Sequence, residues 1–551
     1  MKTKDFLAIL LLGLGTMLSM AGCSVQNEPT SPSSNDTTVV TPGDTTITTV
    51  DTLRITWAAN TATIVGAHEG VTITSDNGYV TVNSTVKDIT YLLSGAGIGQ
   101  LTIYGTNRHQ LILSDLTLTC NDGLAINNQC KKSCFVVLQG SNTLVDATTY
   151  ATSDEDRKAA FFSEGQMIFS GSGSLEVIGN YKHAIASDDY IQFTESTGEL
   201  KLSAPSDGIH ANDGIYVGGG TFSITAGSDG VQCDSTITIS GGSLTINAGA
   251  DGLQSDTAHI IMSGGLLNVT YAGDKGMTAF GNITITGGTI RISSQYKCIK
   301  AGKKENNTIV SAGSILITDG DIQVVCNGTA SFGGGGRPGG WSGSDTENSS
   351  PEAIEAKGTI TINGGYVYAK SADDAINSAG DFTINGGCVL AYATSNDGLD
   401  ANGNMYINGG LVYAIGSSSP EMAVDANSEG GKKVYINGGT IICIGDIESG
   451  ASITGGTAKQ TTSWTASAWY ALYDGSELVA AFQAPAKSSS GGGGLGGGSS
   501  QKMIVYTAST PALKSGVTPS GTAILNGMVY QPATVSGGTS VSLSNYSSSR
   551  W

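Results

Sequence analysis

A short sequence unit is repeated without a gap between Ser206 and Ile292, and this repeat restricts the fold more than any other feature. Each copy contains a double glycine, and the first glycines of successive pairs are 22, 23 and 23 residues apart. A fixed period in this range is typical of solenoids. Alternating runs such as Ile237-x-Ile239 and Leu244-x-Ile246 flank the glycines and indicate strands rather than helices. The sequence therefore predicts an all-β fold, a right-handed parallel β-helix with coils of 22–23 residues.

Aspartate recurs at the same place in three successive coils. Asp207, Asp229 and Asp251 are 22 residues apart, and each precedes a glycine and an apolar residue. Residues one coil apart stack at about 4.8 Å, so these carboxylates form a ladder in which like charges repel each other. A Ca²⁺ ion, which binds about six to eight oxygens, would remove that repulsion, and the ladder predicts a calcium site. The alternative is a row of solvated turns, because Asp-Gly is a common turn pair.

The residues at this position change in later coils. It is occupied in turn by Lys275, Lys297, Glu352, Asp374 and Asp397, and the series ends at Met422. A second position, three residues further on in each coil, begins with His210 and ends with Asp400 and Asp425. The predicted metal ligands are Asp207, Asp229, Asp251, Asp374, Asp397, Asp400 and Asp425. Lys297 and Lys300 are interpreted as counter-ions of neighbouring carboxylates.

The first residues have the pattern of an export signal. A positively charged start and an apolar run from Leu7 to Met17 precede Ala21-Gly22-Cys23, which is typical of a bacterial lipoprotein. We expect residues 1–22 to be a lipoprotein signal peptide, Cys23 to be lipidated, and residues 23–50 to form a flexible tether. The lipid would anchor the protein to a membrane of the bacterial cell envelope, at the outer membrane or the cell surface.

The remaining chain divides into three parts. Residues 51–205 contain degenerate coils, residues 206–445 contain regular coils, and residues 446–551 form a C-terminal segment. Glycine-rich stretches interrupt the second part at 332–346 and the third at 488–500. Neither has the spacing of a phosphate-binding loop, which argues against a nucleotide ligand. The formal net charge of −19 argues against a nucleic-acid partner.

Eight cysteines remain after Cys23. Those of the regular coils fall at different places within their coils, and Cys120, Cys130 and Cys134 lack the spacing of a zinc site. We therefore expect buried thiols and assign no disulfide, although an exported protein permits them.

Tyrosines align on the outward side of the last coils. Tyr368 and Tyr413 hold the same place after their double glycines, and Tyr406 and Tyr435 align on the neighbouring strand. Exposed apolar stripes often mark a contact surface, and a sugar ring can stack on tyrosine, so these four residues are predicted to bind carbohydrate. The alternative is that the C-terminal segment folds back and covers them.

The repeats resemble a known family. The SDGI and ADGL units with their double glycines, the stretch from Ala184 to Asp189 and the inserted GGGGRPGG loop are similar to calcium-binding, β-helical carbohydrate-binding domains. That family resembles pectate lyases in fold and binds cellulose and polygalacturonate. The resemblance covers about Ile55 to Gly445 and implies attachment to plant-type polysaccharide, with Ca²⁺ as cofactor at the matching aspartates. Lysine at two positions of the column and Met422 at its end depart from the family pattern.

Three functions are compatible with these features. The first is polysaccharide binding without cleavage, with Ca²⁺ shared between the protein and a ligand such as pectin. The second is a calcium-dependent polysaccharide lyase, in which Lys275 or Lys297 acts as general base. The third is a structural or adhesive surface solenoid, which would be expected to have near-identical coils. Because the coils diverge chemically along the chain, we predict a localised binding site and no catalysis.

Overall fold

The computed structural model describes residues 47–48, 51–306, 308–329, 350–486 and 501–547. The predicted signal peptide, the lipidation site Cys23, nearly all of the tether and the glycine-rich stretches 332–346 and 488–500 lie outside the described residues. No described helix has the length and apolar character needed to cross a membrane.

One long sheet carries the aspartate positions and is called the ladder sheet. It contains 14 strands, which pair in parallel except for an antiparallel hairpin at the start. The strands are Val71–Asp76, Tyr79–Ser84, Gln100–Gly105, Ile126–Asn128, Ala159–Ser163, His183–Ser187, Ile209–Ala211, Val231–Cys233, Leu253–Ser255, Lys275–Ala279, Lys297–Ala301, Ile354–Ala356, Ile376–Ser378 and Leu399–Ala401.

Each regular coil adds two further strands, one to a second stack and one to a third stack. The second stack consists of Cys134–Gln139, Met167–Ser170, Ile191–Phe193, Ile215–Val217, Ile237–Ile239, Ile260–Met262, Ile283–Ile285, Ile315–Ile317, Ile360–Ile362, Phe382–Ile384, Met405–Ile407, Val434–Ile436 and Ser452–Ile453. The third consists of Thr52–Ala59, Ile89–Ile98, His109–Thr119, Ser141–Val145, Ser174–Ile178, Glu199–Ala204, Thr221–Ala226, Ser243–Ala248, Leu266–Ala272, Thr289–Ser294, Asp321–Cys326, Tyr366–Ser371, Cys388–Ala393, Leu411–Ile415 and Thr440–Ile444. The long strand His109–Thr119 pairs with a strand of each stack and joins the two.

The interior is filled by apolar side chains that stack coil on coil. Ile209, Val231 and Leu253 are register partners on the ladder sheet, and all three are buried. On the second stack, Ile237 pairs with Ile260, and both are buried. Alternate residues of a strand point to opposite faces, so an apolar-polar-apolar strand puts two side chains inside and one outside. Burial of each such apolar side chain stabilises the fold by roughly 1.5–3 kcal/mol.

The double glycine forms the corner between the second and third stacks. Gly242 has a φ of +77°, which residues with a side chain rarely adopt. A Cβ atom on Gly241 would lie 2.2 Å from the carbonyl oxygen of Gly218 in the preceding coil. The first glycine is therefore required by the contact between coils, and the second by the backbone turn.

The C-terminal segment folds back onto the solenoid. Its strand Met503–Thr507 is inserted between Thr440–Ile444 and Thr457–Thr461 and runs antiparallel to both. Ser544–Asn545 pairs with the outer side of Thr457–Thr461. Four strands close into a small barrel: Trp469–Asp474, Glu477–Gln483, Pro511–Ile524 and Val529–Ser540. The remaining elements are the strand Thr61–Val65, the hairpin of Lys303–Glu305 and Thr308–Ser311, and a 3-10 helix at Ser428–Gly430.

The prediction of an all-β solenoid with parallel strands is confirmed for the described residues. The coils within 51–205 join the same stacks as the regular coils. The predicted end of the coils at residue 445 is wrong, because Ser452–Ile453 pairs with Val434–Ile436 in the second stack. The eight described cysteines are free and seven of them are buried, as predicted.

Candidate functional site

The ladder sheet aligns the first predicted ligands in one column, here called the first column. Asp207, Asp229 and Asp251 each lie two residues before the first residue of a strand, and all are buried. The backbone N–H of Asp229 donates to Oδ1 of Asp207 at 3.1 Å, and that of Asp251 to Oδ1 of Asp229 at 2.8 Å. The N–H of Lys275 donates to Oδ1 of Asp251 at 2.7 Å. Each carboxylate is therefore held in place by the next coil.

The glycine after each ladder aspartate is required by packing. A Cβ atom on Gly208 would lie 2.3 Å from Cγ2 of Ile224, and one on Gly230 would lie 2.4 Å from Cγ2 of Ile246. Neither glycine has a positive φ, and the preceding aspartates are only 6% and 8% exposed. The alternative interpretation of these Asp-Gly pairs as solvated turns is therefore wrong.

Burial perturbs the ionisation of the ladder. It raises the pKa of Asp229 to about 7, and the charges of Asp251 and Asp207 add to the increase. Burial also raises the pKa of Asp251 to about 6, although Lys275 opposes the change. At Asp207 burial acts in the same direction, but hydrogen bonds from two histidines outweigh it and hold the pKa below its ordinary value. Deprotonation of the two carboxyl groups at the centre of the ladder, Asp229 and Asp251, is therefore less favourable than that of an ordinary aspartate.

Lysines interrupt the first column. Nζ of Lys275 lies 2.6 Å from Oδ2 of Asp274 and 4.0 Å from Oδ1 of Asp251. Lys297 is 1% exposed, and its Nζ lies 2.8 Å from Oε2 of Glu352 and 3.4 Å from Oε2 of Glu355. Burial lowers the pKa of Lys297, but the two glutamates outweigh it and raise the pKa above its ordinary value.

The interpretation of Lys297 as a counter-ion is therefore confirmed. The hypothesis that Lys297 is the general base of a lyase is wrong, because a buried, ion-paired ammonium group with a raised pKa does not accept a proton near neutral pH. Lys275 also lies between two carboxylates. Its surroundings therefore give no support to the hypothesis that Lys275 is the general base of a lyase.

A second group of carboxylates lies at the other end of the column. Asp400 is the central, outward residue of Leu399–Ala401, and the parallel bridge between Leu399 and Val424 brings Asp425 beside it. Oxygen atoms of Asp397, Asp400 and Asp425 all lie within 4.8 Å of one another. One coil earlier, Oδ1 of Asp374 accepts a hydrogen bond from the N–H of Asp397 at 3.1 Å.

The carboxyl groups of this cluster are strongly perturbed. Burial and the charge of Asp400 raise the pKa of Asp397 to about 8. Burial and a hydrogen bond that protonated Asp425 donates to Glu448 raise the pKa of Asp425 to about 9. The pKa of Asp400 is raised to about 6 and that of Asp374 well above its ordinary value, again mainly by burial. Such a cluster must hold protons or a cation near neutral pH.

The candidate ligands converge at the two ends of the column rather than along it. Within the part of the chain that the structure describes, two groups of three residues bring ligand atoms within 4.8 Å of one another. They are His183, Asp207 and His210, and Asp397, Asp400 and Asp425. Asp229, Asp251 and Asp374 belong to neither group.

Two of the four predicted carbohydrate-binding tyrosines are covered. Tyr413 is fully buried, and its hydroxyl donates to the carbonyl oxygen of Gln483 at 2.8 Å. Its ring packs edge-on against Phe482 of the barrel, with 5.4 Å between the centroids. Tyr368 is 4% exposed and belongs to the same apolar cluster. The prediction that Tyr368 and Tyr413 bind carbohydrate is therefore wrong, and the alternative of a covering C-terminal segment is confirmed.

The other two tyrosines form an accessible pair. The rings of Tyr406 and Tyr435 stack with centroids 5.1 Å apart and planes inclined by 10°, and both side chains are half-buried. Two residues after each tyrosine is an exposed asparagine, and Nδ2 of Asn437 donates to Oδ1 of Asn408 at 2.8 Å. A flat aromatic surface beside a row of amides suits a ligand with both apolar faces and hydroxyl groups.

Comparison with known proteins identifies the family. A family model described as carbohydrate-binding domain-containing protein matches residues 76–279 and 272–398, more than half of the chain. The chain belongs to this carbohydrate-binding family. A solved structure, a gadolinium derivative of the polysaccharide lyase-like protein from C. thermocellum, aligns with a TM-score of 0.32 and 22% identity, over 50% of this chain and 92% of that chain. No curated protein matches the chain.

The match to the carbohydrate-binding family covers only part of the candidate site. It includes the first column from Asp207 to Asp397 and ends at residue 398. Asp400, Asp425 and the stacked tyrosine pair lie just beyond it, in coils that continue the same stacks.

Sequence reasoning missed two features of this carbohydrate-binding protein. The triplet His183-Ala184-Ile185 aligns with Asp207-Gly208-Ile209, as the sequence indicates and the pairing of Ile185 with Ile209 confirms, but the approach of the His183 ring to Asp207 was not predicted. A row of linked asparagines follows the second stack, and the repeated tetrapeptide Ile-Asn-Gly-Gly could have revealed it. The members of that row are Asn363, Asn385, Asn408 and Asn437.

Proposed function

We propose that this carbohydrate-binding protein attaches the bacterial cell envelope to plant-type polysaccharide, polygalacturonate (pectin) or cellulose, with Ca²⁺ as its cofactor. The observation that carries the proposal is the convergence of Asp397, Asp400 and Asp425 within 4.8 Å on the solenoid of a carbohydrate-binding family member. No step of bond cleavage is part of the proposal.

The chemistry of the cluster fits calcium. Ca²⁺ prefers carboxylate and carbonyl oxygens and binds about six to eight of them. Three carboxylates offer up to six oxygens, of which Oδ1 of Asp397 already accepts the N–H of Met422 at 2.5 Å. The raised pKa values of Asp397 and Asp425 reflect first the cost of burying a negative charge and then the cost of placing such charges together, and a divalent cation would relieve both costs.

Calcium would also explain how an acidic protein holds an acidic polymer. With a formal net charge of −19 the protein repels a polyuronate. An ion bound by Asp400 and Asp425, which are only partly buried, would have coordination positions left for a carboxylate of the ligand. The rings of Tyr406 and Tyr435 would bind sugar faces, which a neutral polymer such as cellulose also presents.

The proposal has two further parts that concern architecture and location. The solenoid is proposed to be a right-handed parallel β-helix with coils of 22–23 residues, in accord with the spacing of the double glycines. Lipidation of Cys23 would anchor it, and residues 23–50 would hold it away from the membrane.

Sedimentation with insoluble polygalacturonate and with cellulose tests the function. We expect the full-length protein to bind polygalacturonate in CaCl₂ and to lose this binding in EDTA. The Asp400→Asn/Asp425→Asn variant should behave in CaCl₂ as the wild type does in EDTA. The matched control is Asp319→Asn, because Asp319 is an exposed aspartate elsewhere on the solenoid. Binding that survives chelation, or that is lost equally in the control, would contradict the proposal.

A further inference from the structure

A histidine-containing cluster lies at the start of the first column, far along the chain from the carboxylate cluster at its end. His183 is in the first column one coil before Asp207, and His210 is three residues after Asp207 in the same coil. Nδ1 of His183 lies 3.0 Å from Oδ2 of Asp207, and Nδ1 of His210 lies 3.2 Å from that same oxygen. We propose that His183, Asp207 and His210 form a binding site for a divalent transition-metal ion of the zinc class.

The distances agree with a shared metal ion. Zinc binds imidazole nitrogen and carboxylate oxygen at about 2.0–2.2 Å. When the ligand–metal–ligand angle is between its octahedral and its tetrahedral value, two ligand atoms of the same ion lie roughly 2.9–3.5 Å apart. Both observed separations, 3.0 Å and 3.2 Å, fall within that interval, and all three ligand atoms lie within 4.8 Å of one another. Small side-chain rotations would bring the ligands onto one ion.

The hydrogen bonds of His183 leave its Nδ1 available as a metal ligand. The backbone N–H of Asp207 points at Nδ1 of His183 at 3.3 Å, and the buried Nε2 of the same ring has no hydrogen-bond partner among the described residues. Nδ1 also faces Oδ2 of Asp207 at 3.0 Å. A cation bound between these two atoms would take the place of the proton that a hydrogen bond between them requires. The bond from the backbone is longer than usual, so little is lost when an ion takes the electron pair.

The surroundings orient the ligands and leave one side open. Oδ1 of Asp207 accepts the N–H of Asp229, which holds the carboxylate with Oδ2 toward the imidazoles. Such outer hydrogen bonds are what fix metal ligands in known sites. The imidazoles stack with centroids 4.4 Å apart. The side chain of His183 is 2% exposed and that of His210 is 17% exposed, so water or a ligand oxygen can complete the coordination from the side of His210.

The type of ligand separates this site from the calcium site proposed above. Calcium takes oxygen ligands, whereas two imidazoles and one carboxylate are ligands of zinc and neighbouring transition metals. The inference does not depend on the proposed polysaccharide function, because the residues involved are different from Asp397, Asp400 and Asp425.

Metal titration of the untagged full-length protein tests the inference. After chelator treatment and dialysis, the protein is saturated with CaCl₂ and titrated with ZnCl₂ in a calorimeter, and with CoCl₂ in a visible spectrophotometer. We expect one zinc ion per chain and cobalt absorption bands that indicate nitrogen ligands. The His210→Ala and His183→Ala variants should bind zinc about tenfold more weakly or worse and lose the cobalt bands.

The matched control is His68→Ala, since His68 lies 3.6 Å from a carboxylate oxygen of Asp51 outside the cluster. Its zinc affinity should equal that of the wild type. Because His210 is at the surface side of the cluster, His210→Gln gives a second variant whose fold is checked by circular dichroism. A wild type that binds no zinc in calcium, or folded His210 variants that retain its affinity and spectrum, would overturn the assignment.

Discussion

Replacement of Lys297 by methionine tests a heavily buried ion pair of the solenoid. The change removes an ammonium group that lies 2.8 Å from Oε2 of Glu352 and donates at 2.8 Å to the carbonyl oxygen of Ser350. Glu352 and Glu355 are each 4% exposed and would remain without this counter-ion. Removal of one partner from a buried pair costs about 3–5 kcal/mol, and we expect a loss of that order in the free energy of unfolding at pH 8.

The loss should depend on pH with a definite sign. Burial and the charge of Glu355 already raise the pKa of Glu352 to about 7 in the folded protein, above its ordinary value of 4.5. A group with a raised folded-state pKa gives stability that is complete below the unfolded-state pKa and is lost as the pH rises through the folded-state value. Without Lys297 this pKa rises further. The difference between wild type and variant should therefore grow from pH 5 to pH 8, by up to about 1.4 kcal/mol per pH unit for each proton.

Denaturation by guanidinium chloride, followed by circular dichroism at pH 5 and pH 8, measures both effects. Lys303→Met is the matched control: Lys303 is 48% exposed and pairs with Glu305 at 2.8 Å, so it should cost no more than about 1 kcal/mol. Lys297→Met/Glu352→Gln should recover much of the loss at pH 8, because one of the stranded charges is gone. A Lys297→Met variant within about 1 kcal/mol of the wild type at pH 8, or a loss equally large at pH 5, would refute the reasoning.

Three further predictions concern calcium, the aromatic pair and the anchor. Without calcium, the melting temperature should fall as the pH rises toward 8, because the pKa of Asp397 is raised to about 8 in the folded state. CaCl₂ should restore the melting temperature in calorimetry, and a melting temperature indifferent to both CaCl₂ and EDTA would contradict this. Tyr406→Ala/Tyr435→Ala should weaken cellulose binding in sedimentation assays, whereas Tyr366→Ala, which changes an exposed tyrosine outside the stacked pair, should not; equal binding by all three proteins would count against a role for the pair. Cys23→Ala should move the protein from the membrane fraction to the soluble fraction, and a variant that stays with the membranes would indicate another anchor.

The regular coils could be predicted from the sequence because the period of the repeat equals the register of the sheet. Once Asp207 and Asp229 are 22 residues apart in a parallel solenoid, their proximity follows from the geometry alone. The alignment of Asn377 with Asp400, which are 23 residues apart, also follows, and this pairing is present. The register of most of the ladder sheet could therefore be predicted from the period of the repeat.

Contacts that do not follow the period could not be predicted in the same way. The burial of Tyr413 depends on Phe482, which lies in the barrel and has no counterpart in the repeat. The position of His183 could be read from its triplet, but its ring orientation toward Asp207 depends on side-chain packing. The pKa of Asp229 depends on the burial of its side chain. The sequence does not reveal this burial, because Asp-Gly is also a common pair in exposed turns.

The inserted strand Met503–Thr507 determines how many coils the protein can have. A stack of identical parallel strands offers the same hydrogen-bonding edge after every coil, and such an edge invites another molecule to add on. Here a strand of opposite direction occupies the edge of Thr440–Ile444, and the strand beyond it is paired antiparallel as well. Growth of the third stack by further parallel coils ends there. The chain itself thus supplies the strand that ends the parallel stack at this edge.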